Sequence, residues 1–563
     1  MHWATVDPFI LDDPFWQQKM GMPAANKQFL EALLQYGECS SYHFFVGDSA
    51  TAERFSRFLK ANHPDVANRV FVKPQALLSG ALREQKLDVF HNGDFTSAMP
   101  YLMEWRNRLD GSMRFPVTGV THSLDTVTLY GKFISLLLAK PKPYDAIVCT
   151  SRCAVEMLQR AFQEIRASFQ EHFGAVLPEP PRLVRIPLGI PERSRPLPPR
   201  QAARERLGVP QASVVLLSLG RFSPRSKMDL SPFLEGFSWL RYALLQECAP
   251  EVFLVLAGAG RKDNVRLVAE MVSALGLQDA VQIKANVSEQ DKDALYASAD
   301  IFCSLVDNYQ ETFGLTLLEA MDAGLPVVAS DFNGYRDLVL HGETGFLVPT
   351  YAGACQDPWD SLAGLLDLAV LRFYRAQKIA FDMKAMVQAL HTLVCRADVR
   401  REFSRKARRQ VQEFRWSRVI RAYRALWQEL GALARQGAHK ATTGPYRPIL
   451  TPSVGKIFPH YPSEVMTDET LLGLGPSGGA FAAKVYFPVQ YAEVKLLLKE
   501  DILHAMAQHV SRQEMTVGEL VLWAKTLWGM DRDSAMLHLD WLFKHAVVAP
   551  KKMLMPAFGR ADK

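Results

Sequence analysis

The chain has 563 residues, 48% hydrophobic and 22% charged, which is too long for one core and predicts two or three domains. Its 65 basic and 59 acidic side chains leave +6, too small an excess at this length to argue for nucleic acid. Seven cysteines, at 39, 149, 153, 248, 303, 355 and 395, form no CxxC pair, which fits a reducing, cytoplasmic setting and supplies no metal framework. The opening MHWATVDPFILDDPFW has no basic segment followed by an apolar run, so no signal peptide is expected. No apolar run reaches the roughly 18 residues that a membrane span needs.

Residues 1–190 alternate strand and helix signals. MHWATVDP reads as a strand, NKQFLEALLQYG as a helix, and SYHFFVG, KLDVFH, PVTGVTHSL, YDAIVCTS and RLVRIPLGI as further strands. Apolar strands separated by helices predict a parallel sheet covered on both faces. The stretch PERSRPLPPRQAARERLGVP, 191–210, holds five prolines, much charge and a helix-like turn towards its end, and reads as a linker. A second series fills 211–395, with strands in ASVVLLSLG, EVFLVLAGAG, AVQIKANV, ADIFCSLV, LPVVAS and GFLVPT. The expected fold is α/β, with two doubly wound Rossmann-like domains facing a cleft, and ligands beyond the C-terminal strand ends.

Residues 396–424 carry eleven Arg or Lys and three acids. The plain reading is a long solvated surface helix, and the sharper one is a basic amphipathic helix resting on an acidic membrane at its inner face or on another polyanion. The span 396–435 is assigned to C-terminal helices packing back across the domains. Beyond GPYRPILTPS, residues 445–563 show short helical patterns and predict a small, mainly helical, winged-helix-like domain. With no dense basic run there, a protein contact is expected of it and no nucleic acid.

Four stretches carry chemistry. In LLSLGRFSPRSKMDL a strand ends at Gly220, and Arg221, Arg225 and Lys227 follow in a turn-rich loop suited to a diphosphate or to an ordinary basic surface. In LVLAGAGRKDN, Gly258 and Gly260 let backbone approach a ligand, but the pattern is not GxGxxG and weakens a dinucleotide reading. ETFGLTLLE sets Glu311 and Glu319 eight positions apart around a loop-to-helix turn. Gly314, Leu315 and Thr316 would offer backbone N–H groups to an anion at that helix start. Thr316-Leu-Leu-Glu319 is also a capping box, which accounts for Glu319 and leaves Glu311 unexplained. VTGVTHSLD places His122 directly after a strand, as a cleft residue or a satisfied loop residue. In KMGMPAANKQFLEALL, Gly21, Pro23, Ala24 and Ala25 read as a compact opening before a helix.

ETFGLTLLEAMDAGLPVVAS resembles the E-x7-E block of glycosyltransferase family 4, whose fold is GT-B. GYRDLVLHGETGFLVPT, LGRFSPRSK, YDAIVCTSRCAVEML and VRIPLGI resemble that family's neighbouring blocks. The likeness covers roughly 1–430, is strong over 211–350, and leaves the tail as an additional module. It implies a retaining hexosyl transfer from a nucleoside-diphosphate sugar, in glycan or polysaccharide synthesis. Glu311 would hold the donor sugar and Glu319 the nucleotide ribose. Arg221 and Lys227, with Arg225 sharing the lysine's work, would neutralise the diphosphate. Gly220, Gly258, Gly314, Leu315 and Thr316 would approach it, and His122 would align donor and acceptor. No metal or other cofactor is required on this reading. The acceptor is a saccharide, a lipid-linked species, a metabolite or a protein. Alternatives are a GT-B-type epimerase or phosphorylase, or a non-catalytic nucleotide-sugar-binding regulator.

Overall fold

The computed structural model describes residues 1–6, 9, 21–84, 86–109, 115–247, 249–353, 359–436 and 447–554. Cys248, Cys355 and residues 443–446 of the Pro-containing joint lie outside the described residues. The chain forms two compact units, one of residues 1–43, 63–69 and 87–450 and the other of 44–62, 70–86 and 451–563.

The first sheet has seven strands: β1 (His2–Thr5), β2 (Ser41–Val46), β3 (Val70–Pro74), β4 (Val89–Asn92), β5 (Val117–Val120), β6 (Ala146–Cys149) and β7 (Arg182–Arg185). They stand in the order β3-β2-β1-β4-β5-β6-β7, and β1 to β4, β4 to β5, β5 to β6 and β6 to β7 pair in parallel. Every residue of β4, β5 and β6 is buried, as expected of strands with helices on both faces. Gly21, Pro23, Ala24 and Ala25 do not precede a helix. They form its first turn, within Gly21–Tyr36, because proline is tolerated where N–H groups lack partners anyway.

The link 191–210 is not wholly irregular, since Arg200–Leu207 is helical. Arg204 fixes it by donating to the carbonyls of Ser298, Pro210, Gln211 and Ser213 and to Asp300. The second sheet follows: β8 (Val214–Leu219), β9 (Val252–Gly258), β10 (Val281–Ala285), β11 (Ile301–Ser304), β12 (Val327–Ser330) and β13 (Gly345–Val348). Its order is β10-β9-β8-β11-β12-β13, with parallel neighbours. Alternation sends Leu216, Leu254 and Ile301 into one core layer and Leu217, Val255 and Phe302 into the other. Two parallel sheets with helices, facing a cleft, make the GT-B architecture.

An arm stands between β13 and the helix Met383–Cys395. It is an antiparallel pair, β14 (Thr350–Ala352) with β15 (Ile379–Phe381), and carries the helix Leu368–Ala376. Asp367 caps that helix by accepting from the N–H groups of Ala369 and Val370.

The basic span 396–424 is not one solvated helix. It comprises Ala397–Gln410, a 3₁₀ turn at Val411–Phe414, and the start of Trp416–Gln436. The aromatic face of the last helix is buried against the first sheet. Trp427 lies 6.3 Å from Trp3 and 5.3 Å from His91, Tyr423 lies 5.1 Å from Phe29, and the Trp427 indole N–H meets Thr118 Oγ1 at 3.3 Å. Several cations that looked solvated satisfy backbone instead. Arg400 donates to Leu393 and Val394, Arg408 to Ala323, and Arg415 to Pro191. Arg401, Arg405, Arg409 and Arg421 remain exposed.

The tail 451–554 is mostly helical. Helices Glu500–Arg512, Val517–Trp528 and Arg532–Lys544 pack with an antiparallel sheet of β16 (Leu471–Leu474), β17 (Met515–Thr516) and β18 (Val548–Pro550). Its core includes Leu472, Leu503, Met506, Leu520, Leu539 and Leu542. Thr516 and Glu519 form a capping box at the second of these helices.

Candidate active site

Strand order in the second sheet reverses between β8 and β11, and sheets of this kind bind ligands beyond the carboxyl ends at such a point. The loops leaving those two strands carry Arg221, Lys227 and Glu311. Lys227 Nζ donates to Glu311 Oε2 at 2.6 Å and to Tyr335 OH at 3.2 Å, and Tyr335 OH meets Ser304 Oγ at 2.8 Å. The two charged side chains are 10% and 20% exposed, so the pair is largely withdrawn from water yet open on one side. An ammonium has three N–H groups, so one remains for a ligand.

Burial alone would raise the Glu311 pKa, but the Lys227 charge and hydrogen bond outweigh it and hold the carboxyl below the usual range. Burial alone would lower the Lys227 pKa, and the Glu311 carboxylate reverses that, so Lys227 stays charged. The Phe313 N–H and the Arg221 charge push the Glu311 pKa in the same direction as Lys227. Arg221 donates Nη2 to Ser226 O at 2.9 Å, and burial lowers its pKa, with Glu311 opposing and Arg372 adding to the effect.

Glycine is required at two points here. Gly258 has φ 145°, and a Cβ would lie 1.7 Å from Gly220 O, so the ends of β8 and β9 touch only because no side chain intervenes. Gly258→Ala is expected to cost about 2–4 kcal/mol through strain and overlap. Chemical denaturation measures that loss, and an unchanged midpoint would show that the strand ends relax freely. Gly314 has φ 117°, and a Cβ would fall 2.5 Å from the Tyr335 ring.

Gly314 corrects one sequence expectation. It is the N-cap of the helix Leu315–Ala323, with no side-chain capping bond, so Thr316 and Glu319 form no capping box. Glu319 accepts from Lys292 Nζ at 2.6 Å and Tyr296 OH at 2.8 Å instead. Thr316 Oγ1 is buried without a hydrogen-bond partner. Among the described residues Glu319 makes no hydrogen bond or ion pair with Lys227. Arg225 is exposed and makes no hydrogen bond to the cluster among the described residues, while Gly220 packs 3.2 Å, from an added Cβ, against the Lys227 stem.

His122 follows β5 in the first sheet. Its Nε2 lies 2.6 Å from Gly93 O, just beyond β4 and hence beside the reversal point of that sheet. A carbonyl only accepts, so Nε2 carries the proton and Nδ1 offers a lone pair. Burial lowers the His122 pKa, against Asp94 and the Gly93 carbonyl, which keeps the ring neutral near pH 7. Three residues on, Asp125 binds Arg372 of the arm through Nε at 2.5 Å and Nη2 at 2.7 Å.

Sequence spacing did not single out Tyr335, Ser304, Asp125, Arg372 or Asp307. Asp307, 6% exposed, accepts the Asp229 N–H through Oδ2 at 3.1 Å, while Oδ1 has no partner. Burial pushes its carboxyl up to about 7, helped by the Asp229 charge. A raised carboxylate pKa means the fold binds a proton that the unfolded chain releases, so stability falls as pH rises from about 4 to about 7. Asp307→Asn is expected to raise stability at pH 8 by about 1–2 kcal/mol and to change little at pH 4. Equal effects at both pH values in urea unfolding would remove that assignment.

A family model described as glycosyl transferases group 1 matches residues 199–361. The second sheet-bearing domain is related to group 1 glycosyl transferases. Relatives include the phosphatidyl-myo-inositol mannosyltransferase of Mycobacterium leprae, 36% identical over 191 residues, covering 34% of this chain and 46% of that protein. Another is the D-inositol 3-phosphate glycosyltransferase of Stackebrandtia nassauensis, 33% identical over 218 residues, covering 38% and 47%. The chain spans about half the length of these curated relatives. Among solved structures, sucrose-phosphate synthase from Thermosynechococcus elongatus aligns with TM-score 0.48 and 17% identity, over 77% of this chain and 100% of that one. The group 1 match contains Gly220, Arg221, Arg225, Lys227, Gly258, Glu311, Gly314, Leu315, Thr316 and Glu319, while His122 and Arg372 lie outside it.

Proposed function

We propose that the chain is a retaining, family 4-type glycosyltransferase that moves a hexosyl group from a nucleoside-diphosphate sugar to an acceptor hydroxyl. The observation that carries this is the Lys227–Glu311 pair, with Arg221, at the reversal point of the second sheet. Residues 211–395 then form the donor domain and 1–190 the acceptor side. The group 1 match supports the donor side, and the inositol acceptors named for the relatives are not carried over, since 199–361 stops short of residues 1–190.

In this reading the acceptor oxygen bonds to the anomeric carbon on the face from which the diphosphate departs. The carbon–oxygen bond to the diphosphate breaks, and a phosphate oxygen takes the acceptor proton. Arg221 and Lys227 stabilise the charge that develops on the leaving group, in a crevice that screens it poorly from them. Glu311 accepts hydrogen bonds from donor-sugar hydroxyls while holding Lys227 in place. Glu319, exchanging Lys292 or Tyr296 for a ribose hydroxyl, grips the nucleotide. The neutral His122 offers Nδ1 to a hydroxyl at the cleft.

A panel of radiolabelled UDP-, GDP- and ADP-sugars tests the reading, with label followed into lipid, polymer, protein and small-molecule fractions. Release of nucleoside diphosphate with labelled product is the expected result. Tight binding without release across the acceptor fractions would overturn it in favour of a nucleotide-sugar-binding regulator.

A further inference from the structure

The arm helix Leu368–Ala376 touches both sides of the cleft. Arg372 grips Asp125 in a two-pronged pair whose side chains are 15% and 3% exposed. Arg375 reaches the Asp125 carbonyl at 3.4 Å. One residue past the helix, Gln377 donates to Asp229 Oδ2 at 3.0 Å, two residues beyond Lys227. The arm thus connects the loop of His122 with the loop of Arg221 and Lys227.

The donors of Arg372 are only partly used. Nε and one N–H of Nη2 are on Asp125, while Nη1 makes no hydrogen bond among the described residues. Nη1 is not among the sealed, partnerless polar atoms, so it reaches open space. Arg221 is similar, with Nη2 on Ser226 O and its Nε and Nη1 unengaged among the described residues. The two guanidinium charges are close enough for Arg372 to act on Arg221. Two partly buried cations of like sign repel unless an anion joins them, and rigid planar donors suit phosphate oxygens.

We propose that Arg372 is a third cation of the donor-phosphate site, held in orientation by Asp125 through Nε and Nη2 and presenting Nη1 to the diphosphate. This inference rests on the donor reading above. It assigns the arm a role in ligand binding, and it ties phosphate occupancy to the Asp125 end of the His122 loop. Asp125 is a positioning residue in this scheme, because it acts through Arg372.

The test is titration calorimetry of the full chain with UDP, GDP and ADP and with the matching monophosphates, for wild type and Arg372→Ala. The expected result is a loss of about tenfold or more for the diphosphate that wild type prefers and about threefold or less for its monophosphate. Arg375→Gln, which alters the same arm, should leave both affinities within about twofold. Equal losses for diphosphate and monophosphate, or none, would overturn the inference and leave the donor reading standing. A wild type that binds none of the nucleotides would overturn the donor reading and this inference with it. If Arg372→Ala does not fold, Arg372→Gln keeps a donor for Asp125 without the charge and is judged by the same ratios.

Discussion

Glu311→Gln is expected to lower sugar transfer by about a hundredfold to ten-thousandfold with the fold intact. Glutamine has nearly the same shape and keeps an oxygen facing Lys227 Nζ, now 2.6 Å from the carboxylate. It removes the negative charge that accepts donor hydroxyls and that holds the ammonium in register. One amide hydrogen also replaces an acceptor lone-pair direction, so a sugar hydroxyl bound there must turn or leave. Initial rates with the donor identified in the nucleotide-sugar panel, beside a thermal melt, check both halves. Transfer at the wild-type rate would remove Glu311 from the donor site.

Lys227→Ala is expected to act on stability and binding together. It strands a carboxylate that is 20% exposed on its side chain, and removing one partner of a buried pair costs about 3–5 kcal/mol. It also deletes a phosphate donor, so nucleoside-diphosphate affinity should fall by about tenfold or more. The double variant Lys227→Ala with Glu311→Gln should regain much of the stability, because no charge is left unpaired, but none of the affinity. The pH dependence has a definite sign. Glu311 is depressed, so its share of stability is present above the ordinary carboxylate range and is lost as pH falls through its folded value. Lys227 is raised, so its share is present below about 10 and is lost as pH rises through its folded value. Between about pH 5 and pH 10 the contribution of the pair is flat. An Ala variant as stable as wild type across that window would show that the pair stores no stability.

How much of this could be read from the residues depends on distance along the chain. The strands of both sheets were legible because they are short apolar runs set between helices, and burial on both faces demands that composition. Glu311 stood out because a helix cap could not account for it. Its partner could be nominated but not paired, since Lys227 lies 84 residues earlier. Tyr335 and Ser304 were silent, as a buried hydroxyl has no periodic signature. The capping box at Thr316 failed because the local pattern competed with a glycine in left-handed backbone two residues earlier, and with Lys292 and Tyr296 from another helix. The basic span misled for a similar reason. Arginines read as solvated when counted, yet Arg400, Arg408 and Arg415 finish helix ends and loops by donating to carbonyls. Arg372, within LAVLRFYRA, had nothing to mark it off from any amphipathic helix until Asp125 was seen 247 residues away.

The aromatic face of Trp416–Gln436 bears on the order in which the chain takes shape. Trp3, Phe29 and His91 belong to the opening stretch, but the rings that cover them are Tyr423 and Trp427. During synthesis, domains ordinarily fold from the N-terminal end as they emerge. Here the first sheet leaves the ribosome well before the helix that seals it, and the whole second sheet is made in between. The first sheet must therefore wait with an unsealed aromatic face until residue 427 has emerged, so the part translated first is completed only after the second sheet has been made. A nascent chain held short of that point exposes an aromatic face that the finished protein buries.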